Sequence, residues 1–264
     1  MRLFRLLLTC ACAAALAGCA GSGGNAPAGN TNGSDGNTAR RTSSNSNAET
    51  TAPETGVEKV KPAPGTGNVQ GKVLYNGKPV EGIEVKLCEK FNQFGIGCTG
   101  KTFTAKSDAA GEYVITNVEP MTYEGLMVRV FDTDSFIFAT TGLAGLSSAK
   151  YEVAPDKTLF VRPSHLFKSD LKLTDPKAGT KVSVQGLELK WQAYPDAAYY
   201  KLSIYPDEMS VTSPHIGERV EANTFAPKPL PKGTYRWLVE AYNDSDQKLA
   251  ESARDVKFTI TDGS

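Results

Sequence analysis

From residue 67 onward, apolar side chains recur at every second position in short runs separated by turn residues, and no stretch carries a stripe of period 3.6. Val69, Val73 and Tyr75 lead into Asn76-Gly77, and Ile83, Val85 and Leu87 then alternate with charged residues. The pattern returns at Phe103, at Tyr113 and Ile115, at Leu126, Val128 and Val130, at Phe136 and Phe138, and at Leu159 and Val161. A second series runs through Leu187, Leu189 and Trp191, through Tyr200, Leu202 and Ile204, through Tyr235, Trp237 and Val239, and closes on Val256, Phe258 and Ile260. Period two buries one face of each strand and leaves the other wet, so the expectation is all-β: two tandem antiparallel sandwiches, over 67–167 and 168–264. A chain of 264 residues has room for two domains of ordinary size.

Upstream of residue 67 the composition changes completely. Of the 47 residues from Ala20 to Thr66, 30 are Gly, Ser, Thr, Asn or Pro, and Val57 and Val60 are the only large aliphatics. Four basic and four acidic residues cancel there, which predicts a disordered, neutral tether with a root-mean-square reach of roughly 35–40 Å. A glycosylated or wall-threading stalk is the alternative that the Ser/Thr content and Pro53, Pro62 and Pro64 leave open. Before the tether, Arg2 and Arg5 precede a twelve-residue apolar run, Leu6 to Ala17, too short to cross hydrocarbon that needs about twenty residues. The run ends in Leu16-Ala17-Gly18-Cys19, which resembles the lipobox of bacterial lipoproteins. That resemblance implies a signal peptide over 1–18, cleavage before Cys19 and acylation of Cys19, hence a lipid-anchored protein of the cell envelope. Ala20 in place of Asp after the cysteine implies, by the same resemblance, the outer membrane in a Gram-negative organism. An ordinary secretory signal is the competing reading.

Two further resemblances rest on turn and core residues. Gly71-Lys-Val73, Gly77-Lys-Pro79-Val80 with Gly82, Val85 and Leu87, and Asp108 with Gly111, Tyr113, Ile115, Val118 and Pro120 resemble the carboxypeptidase regulatory-like domains. These are transthyretin-like sandwiches that serve mostly as accessory or spacing modules, some binding carbohydrate. Some adhesin relatives carry a Lys–Asn isopeptide bond. Lys72 stands near the right strand, but no Asn lies between Tyr151 and Phe167, so none is expected. Over about 170–262, Trp191, the Tyr200/Leu202/Ile204 alternation and Tyr235 after Leu230-Pro-Lys-Gly233 resemble bacterial fibronectin type III-like domains. The resemblance casts Tyr235 as a tyrosine-corner residue whose hydroxyl bonds the backbone upstream.

Motifs that carry chemistry are sparse. Gly95-Ile-Gly-Cys-Thr-Gly100-Lys101-Thr102 fits the phosphate-loop pattern, yet the run from Phe103 to Gly111 reads as strand and turn rather than helix, so no nucleotide is expected. Lys+Arg and Asp+Glu are 29 each, and this balance gives no footprint for nucleic acid. His165 and His215, 50 positions apart, lack partners at ligand spacing, and no metal or other cofactor is expected. Asp132-Thr-Asp134 and Asn243-Asp-Ser-Asp246 read as turns before they read as calcium loops. No Gly-x-Ser-x-Gly elbow or persuasive triad occurs, and catalytic residues are expected to be none. Outside the leader and Cys19, Cys88 and Cys98 are the remaining thiols, and an oxidising compartment makes their disulfide the default. The enclosed loop holds Phe91 and Phe94, which either tuck onto their own sandwich or form a contact patch. Met121, Tyr123 and Met127 are assigned to the core.

These readings converge on a non-enzymatic, lipid-anchored envelope protein that presents two sandwiches for protein contact or scaffolding. Its expected partners are the membrane, through the anchor, and an envelope protein. The alternative is glycan binding, for which Tyr194, Tyr199, Tyr205 and Tyr242 supply candidate stacking rings.

Overall fold

The computed structural model describes residues 56–92, 97–141, 147–208 and 213–262. The expected leader, Cys19, most of the expected tether and Phe94 therefore lie outside the described residues. Within them every regular element is a strand.

In the first module the central strand Gly67–Tyr75 pairs antiparallel with Glu112–Val118 on one side and parallel with Thr158–Phe160 and Ser164–His165 on the other. The second sheet runs in the order Gly97–Lys106, Glu84–Asn92, Gly125–Arg129 and Phe136–Phe138. Alternation sends Val69 and Val73 from one sheet, and Val85, Leu87, Leu126 and Val128 from the other, into one core with Tyr113, Ile115, Tyr123 and Leu166. Each such side chain contributes about 1.5–3 kcal/mol by leaving water. The Asn76-Gly77 turn has both residues left-handed, at φ 49° and 71°, as a two-residue hairpin that follows the strand twist demands. Gly111 is required for space as well: a Cβ there would lie 2.5 Å from the Val73 carbonyl oxygen.

The second module has a large sheet ordered Lys168–Leu171, Lys248–Ser252, Gly233–Tyr242, Tyr199–Pro206 and His215–Val220. Val256–Ile260 also pairs with Gly233–Tyr242, and parallel to it lies Thr180–Val182. A smaller sheet of Leu173–Asp175, Leu189–Trp191 and Thr224–Phe225 covers the other side. Trp191, Leu202, Ile204, Trp237, Val239 and Phe258 fill the space between them. Tyr235 donates its hydroxyl to the Pro231 carbonyl at 2.9 Å, which is the corner bond that the fibronectin type III-like resemblance implies.

The described residues begin before the period-two pattern does. Residues 57–60 lie along the outer face of Gly67–Tyr75, held by its side chains rather than by a ladder. Asn68 Nδ2 donates to the Val60 carbonyl (2.7 Å), Gln70 Nε2 donates to the Val57 carbonyl (3.0 Å), and Gln70 Oε1 accepts from the Lys59 amide (3.1 Å). The Lys59 ammonium reaches Asp108 (2.9 Å) and Glu112, and Thr158 donates to Glu58. Composition alone could not place this: a chain with no apolar face of its own docks because Asn68 and Gln70, 1% and 8% exposed, provide backbone-like donors and acceptors.

Candidate functional site

Three surfaces gather the chemically informative side chains. The first is the outer face of the second sheet in the first module, where the disulfide hairpin sits. Cys88 and Cys98 are bonded, with Cα atoms 5.5 Å apart, and tie Glu84–Asn92 to Gly97–Lys106. Both sulfurs lie against the Met127 thioether, at 3.7 and 3.1 Å. Met127, assigned to the core by its spacing, thus backs the disulfide on the outer face, while Tyr123 is fully buried and Met121 packs on the core as expected. Phe91 is half-buried, its ring edge-on to Phe138 with centroids 4.7 Å apart, and it crosses the strand where Gly125 has no side chain. A Cβ at Gly125 would come within 2.7 Å of it. Phe91 therefore tucks onto its own sandwich, and no aromatic pair with Phe94 can be drawn because Phe94 lies outside the described residues. Beside this cluster, Lys86 (5.7 Å) and Arg129 (5.5 Å) stand over the Phe136 ring.

The second surface is the outer face of the large sheet in the second module. Tyr199 and Tyr242 are cross-strand partners whose rings stack at 5.2 Å with an 8° interplanar angle. The Arg219 guanidinium lies 3.7 Å from the centroid of Tyr199, and the Lys201 ammonium 4.3 Å from that of Tyr242. Cations attracted to the π faces leave these rings 3% and 2% exposed. Burial, with the hydrogen bond to Asp246 second, pushes the Tyr199 hydroxyl up to about 12; burial and the Glu240 carboxylate move Tyr242 further in the same direction. Next to them the nearly buried Lys248 ammonium donates to Glu240 (3.1 Å) and Glu251 (2.9 Å) above the Phe167 ring. Two carboxylates and a ring face satisfy a cation that burial would otherwise penalise by several kcal/mol.

The third is the junction between modules. The Asn76 side chain donates to Asp196 Oδ2 and accepts from Asn243 Nδ2, both at 2.9 Å. Asn243 is 7% exposed, and its Oδ1 accepts from the Ser245 (3.0 Å) and Gln247 (2.9 Å) amides, so the segment read as a turn in preference to a calcium loop is a turn. The hydroxyls of Tyr75 and Tyr194 meet at 3.3 Å, and Lys168 stands over Tyr75 at 5.1 Å. Sequence periodicity has no signal for such a junction, because its members are turn residues that look solvated one module at a time.

The remaining candidates are not brought together. His215 Nδ1 lies 3.2 Å from Glu218 and its ring meets Phe225 edge-on; His165, in the other module, has its pKa lowered by burial. Among the described residues no group of His, Cys, Asp or Glu has the geometry to hold a metal ion. Gly100-Lys101-Thr102 lies within the strand Gly97–Lys106, Lys101 pairing with Glu119, and no helix N-terminus among the described residues faces it as a phosphate cradle requires. Lys72 pairs with Glu112 at 3.8 Å. A groove of about 420 Å³ between Gln70, Lys72, Glu112 and Phe160 is bordered by the docked segment at Gly56, Val57 and Lys59.

No protein-family model matches the chain, and no curated protein matches it. Among solved structures it is similar to fibronectin(III)-like modules of CbhA from Clostridium thermocellum (16% identity, covering 73% of this chain and 90% of that one, TM-score 0.28). It is similar also to the major pilin SpaD of Corynebacterium diphtheriae (11%, 73% and 64%, TM-score 0.24) and to a DUF3823 family protein from Bacteroides uniformis (11%, 74% and 99%, TM-score 0.25). These overlaps are slight, and the all-β fold rests on the strand pairing described above.

Proposed function

We propose that the chain is a non-enzymatic, lipid-anchored protein of the cell envelope that carries two β-sandwiches as one coupled unit for protein contact or scaffolding. The observation that carries this reading is the junction. Two spacers strung on a linker need no fixed relation, whereas here Asn76 is held between Asp196 and Asn243, so that residues of both modules share one hydrogen-bonded surface. Acylated Cys19 would supply the anchor, since two or three acyl chains at about 0.8 kcal/mol per buried methylene hold stably. The tether would then confine the modules near the membrane and raise their effective concentration against a partner. In this reading the first module is carboxypeptidase regulatory-like and the second fibronectin type III-like, and Ala20 directs the protein to the outer membrane of a Gram-negative cell. The glycan alternative loses two of its stacking rings, because Arg219 and Lys201 already cover Tyr199 and Tyr242. Crosslinking in intact cells at native expression tests the reading. Recovery of one defined envelope protein supports it; retention on purified cell-wall glycan with no protein adduct overturns it in favour of glycan binding.

A further inference from the structure

The strand that receives the tether and the strands that leave the first module lie side by side and point the same way. Gly67–Tyr75 is parallel to Thr158–Phe160 and to Ser164–His165, with Asn68↔Thr158, Gln70↔Phe160 and Leu74↔His165 in register. Backbone bonds link the two along their length: Asn68 N to the Lys157 carbonyl (3.0 Å), Val161 N to that of Gln70 (2.9 Å) and Leu166 N to that of Leu74 (2.8 Å). The second module begins at Lys168–Leu171, directly after this pair. Tension between the tether and the second module therefore pulls one strand toward its N-terminus and its neighbour toward its C-terminus. Parallel strands loaded in this way must slide past one another, and the bonds along the pair carry the load together instead of opening one at a time.

We propose that the first sandwich is a force-resisting joint, built so that tension arriving through the tether meets this sheared pair. The proposal rests on the anchored reading only for the source of the force; the resistance itself is a property of the strand pairing. The docked root adds an earlier stage. Before tension reaches Gly67 it must strip residues 57–66 from the sandwich, breaking the Asn68 and Gln70 amide bonds, the Lys59 pairs with Asp108 and Glu112, and the Gly65 amide bond to Asp156 (2.9 Å). These contacts are separate hydrogen bonds and ion pairs, those of Asn68 and Gln70 buried and those of Lys59 with Asp108 and of Gly65 exposed, with no apolar core behind them, so they yield before the core does. Ten residues at about 3.3–3.6 Å each release roughly 35 Å of chain. The joint thus gives a short extension at low load and then holds. The second module repeats the shear arrangement, with Thr180–Val182 parallel to Val256–Ile260.

Forced unfolding reads the unfolding barrier along the pulling direction, so the test is single-molecule pulling on the full chain in two geometries. Tags at the two ends load the parallel pair in shear. Tags at the N-terminus and at exposed Glu119 peel Gly67–Tyr75 from Glu112–Val118 instead, because Gly67 is in register with Val118 at the same end. Rupture of the first module is recognised by a gain in length that increases by about 30 Å under reductant, as the ten-residue span from Cys88 to Cys98 is freed from a disulfide that holds its Cα atoms 5.5 Å apart. The expected result is a rupture force at least twofold higher in shear than in peeling at the same loading rate, preceded by a step of about 35 Å whose force Gln70→Ala lowers. Equal forces in the two geometries, or an early step unchanged in Gln70→Ala, would overturn the proposal. Neither outcome depends on lipid, so failure of the joint and failure of the anchor are read separately.

Discussion

Reducing the Cys88–Cys98 bond removes a constraint whose size depends on its position. The cysteines are 10 residues apart. For a loop of about that length the chain-entropy relation gives about 2.7 kcal/mol of stabilisation at 25 °C. The first module has roughly 110 residues, and at about 2.1 cal/mol/K per residue its unfolding entropy is about 0.23 kcal/mol/K, so this loss lowers its midpoint by roughly 12 °C. The double variant Cys88→Ala/Cys98→Ala loses about 1 kcal/mol more, because Cys88 is fully buried and its sulfur leaves a void beside Met127. Calorimetry of the full chain, oxidised and with reductant, measures both, with the second module as an internal reference whose transition should not move. Reductant should leave the double variant unchanged. A shift below about 4 °C on reducing the parent chain would refute the reasoning, showing that the hairpin is equally confined without its bond.

Asn243→Asp keeps the acceptor for the Ser245 and Gln247 amides but loses the donor to Asn76, so it should preserve the melting of the second module while broadening the inter-module distance distribution measured by spin-label spectroscopy; an unchanged distribution would count against the junction. Asn243→Ala removes the acceptor as well and should cost about 1–3 kcal/mol in urea titration of that module. Tyr123, Tyr194, Tyr199, Tyr235 and Tyr242 all have raised hydroxyl pKa values, chiefly through burial. Because a raised pKa favours the protonated native form, their contribution to stability is intact below the ordinary value of 10 and is lost as pH climbs through the raised values. Phenolate absorbance should therefore show these five ionising only above pH 10, with a sharp late phase on alkaline unfolding; five ordinary titrations would contradict the burial of the Tyr199/Tyr242 stack.

The sandwich cores were legible because alternation is a local property: Val85, Leu87, Trp191, Leu202 and Trp237 sit inward for the same reason that they recur at every second position. Asn76-Gly77 and the Tyr235 corner were legible because each turn needs a particular residue type. Which strands become neighbours is another matter. The parallel pairing of Gly67–Tyr75 with Thr158–Phe160 joins segments about 90 positions apart, and period two is the same for either strand direction. Asn68 and Gln70 occupy the face that alternation marks as wet, and only the structure shows that this face is covered by residues 57–60. Tyr199 and Tyr242 illustrate the converse. Their positions mark them as outward-facing rings, correctly, but the cations that cap them come from Arg219 and Lys201, whose placement depends on strand register.

The proposed anchoring at the envelope turns on Cys19 more than on any other residue. Metabolic labelling of expressing cells with a palmitate analogue, then membrane fractionation of the parent chain and Cys19→Ala, tests it most directly. The expected result is label on the parent and recovery in the membrane fraction, with both lost in the variant. An unlabelled parent chain, or a Cys19→Ala chain still held at the membrane, would contradict a lipid anchor at this position.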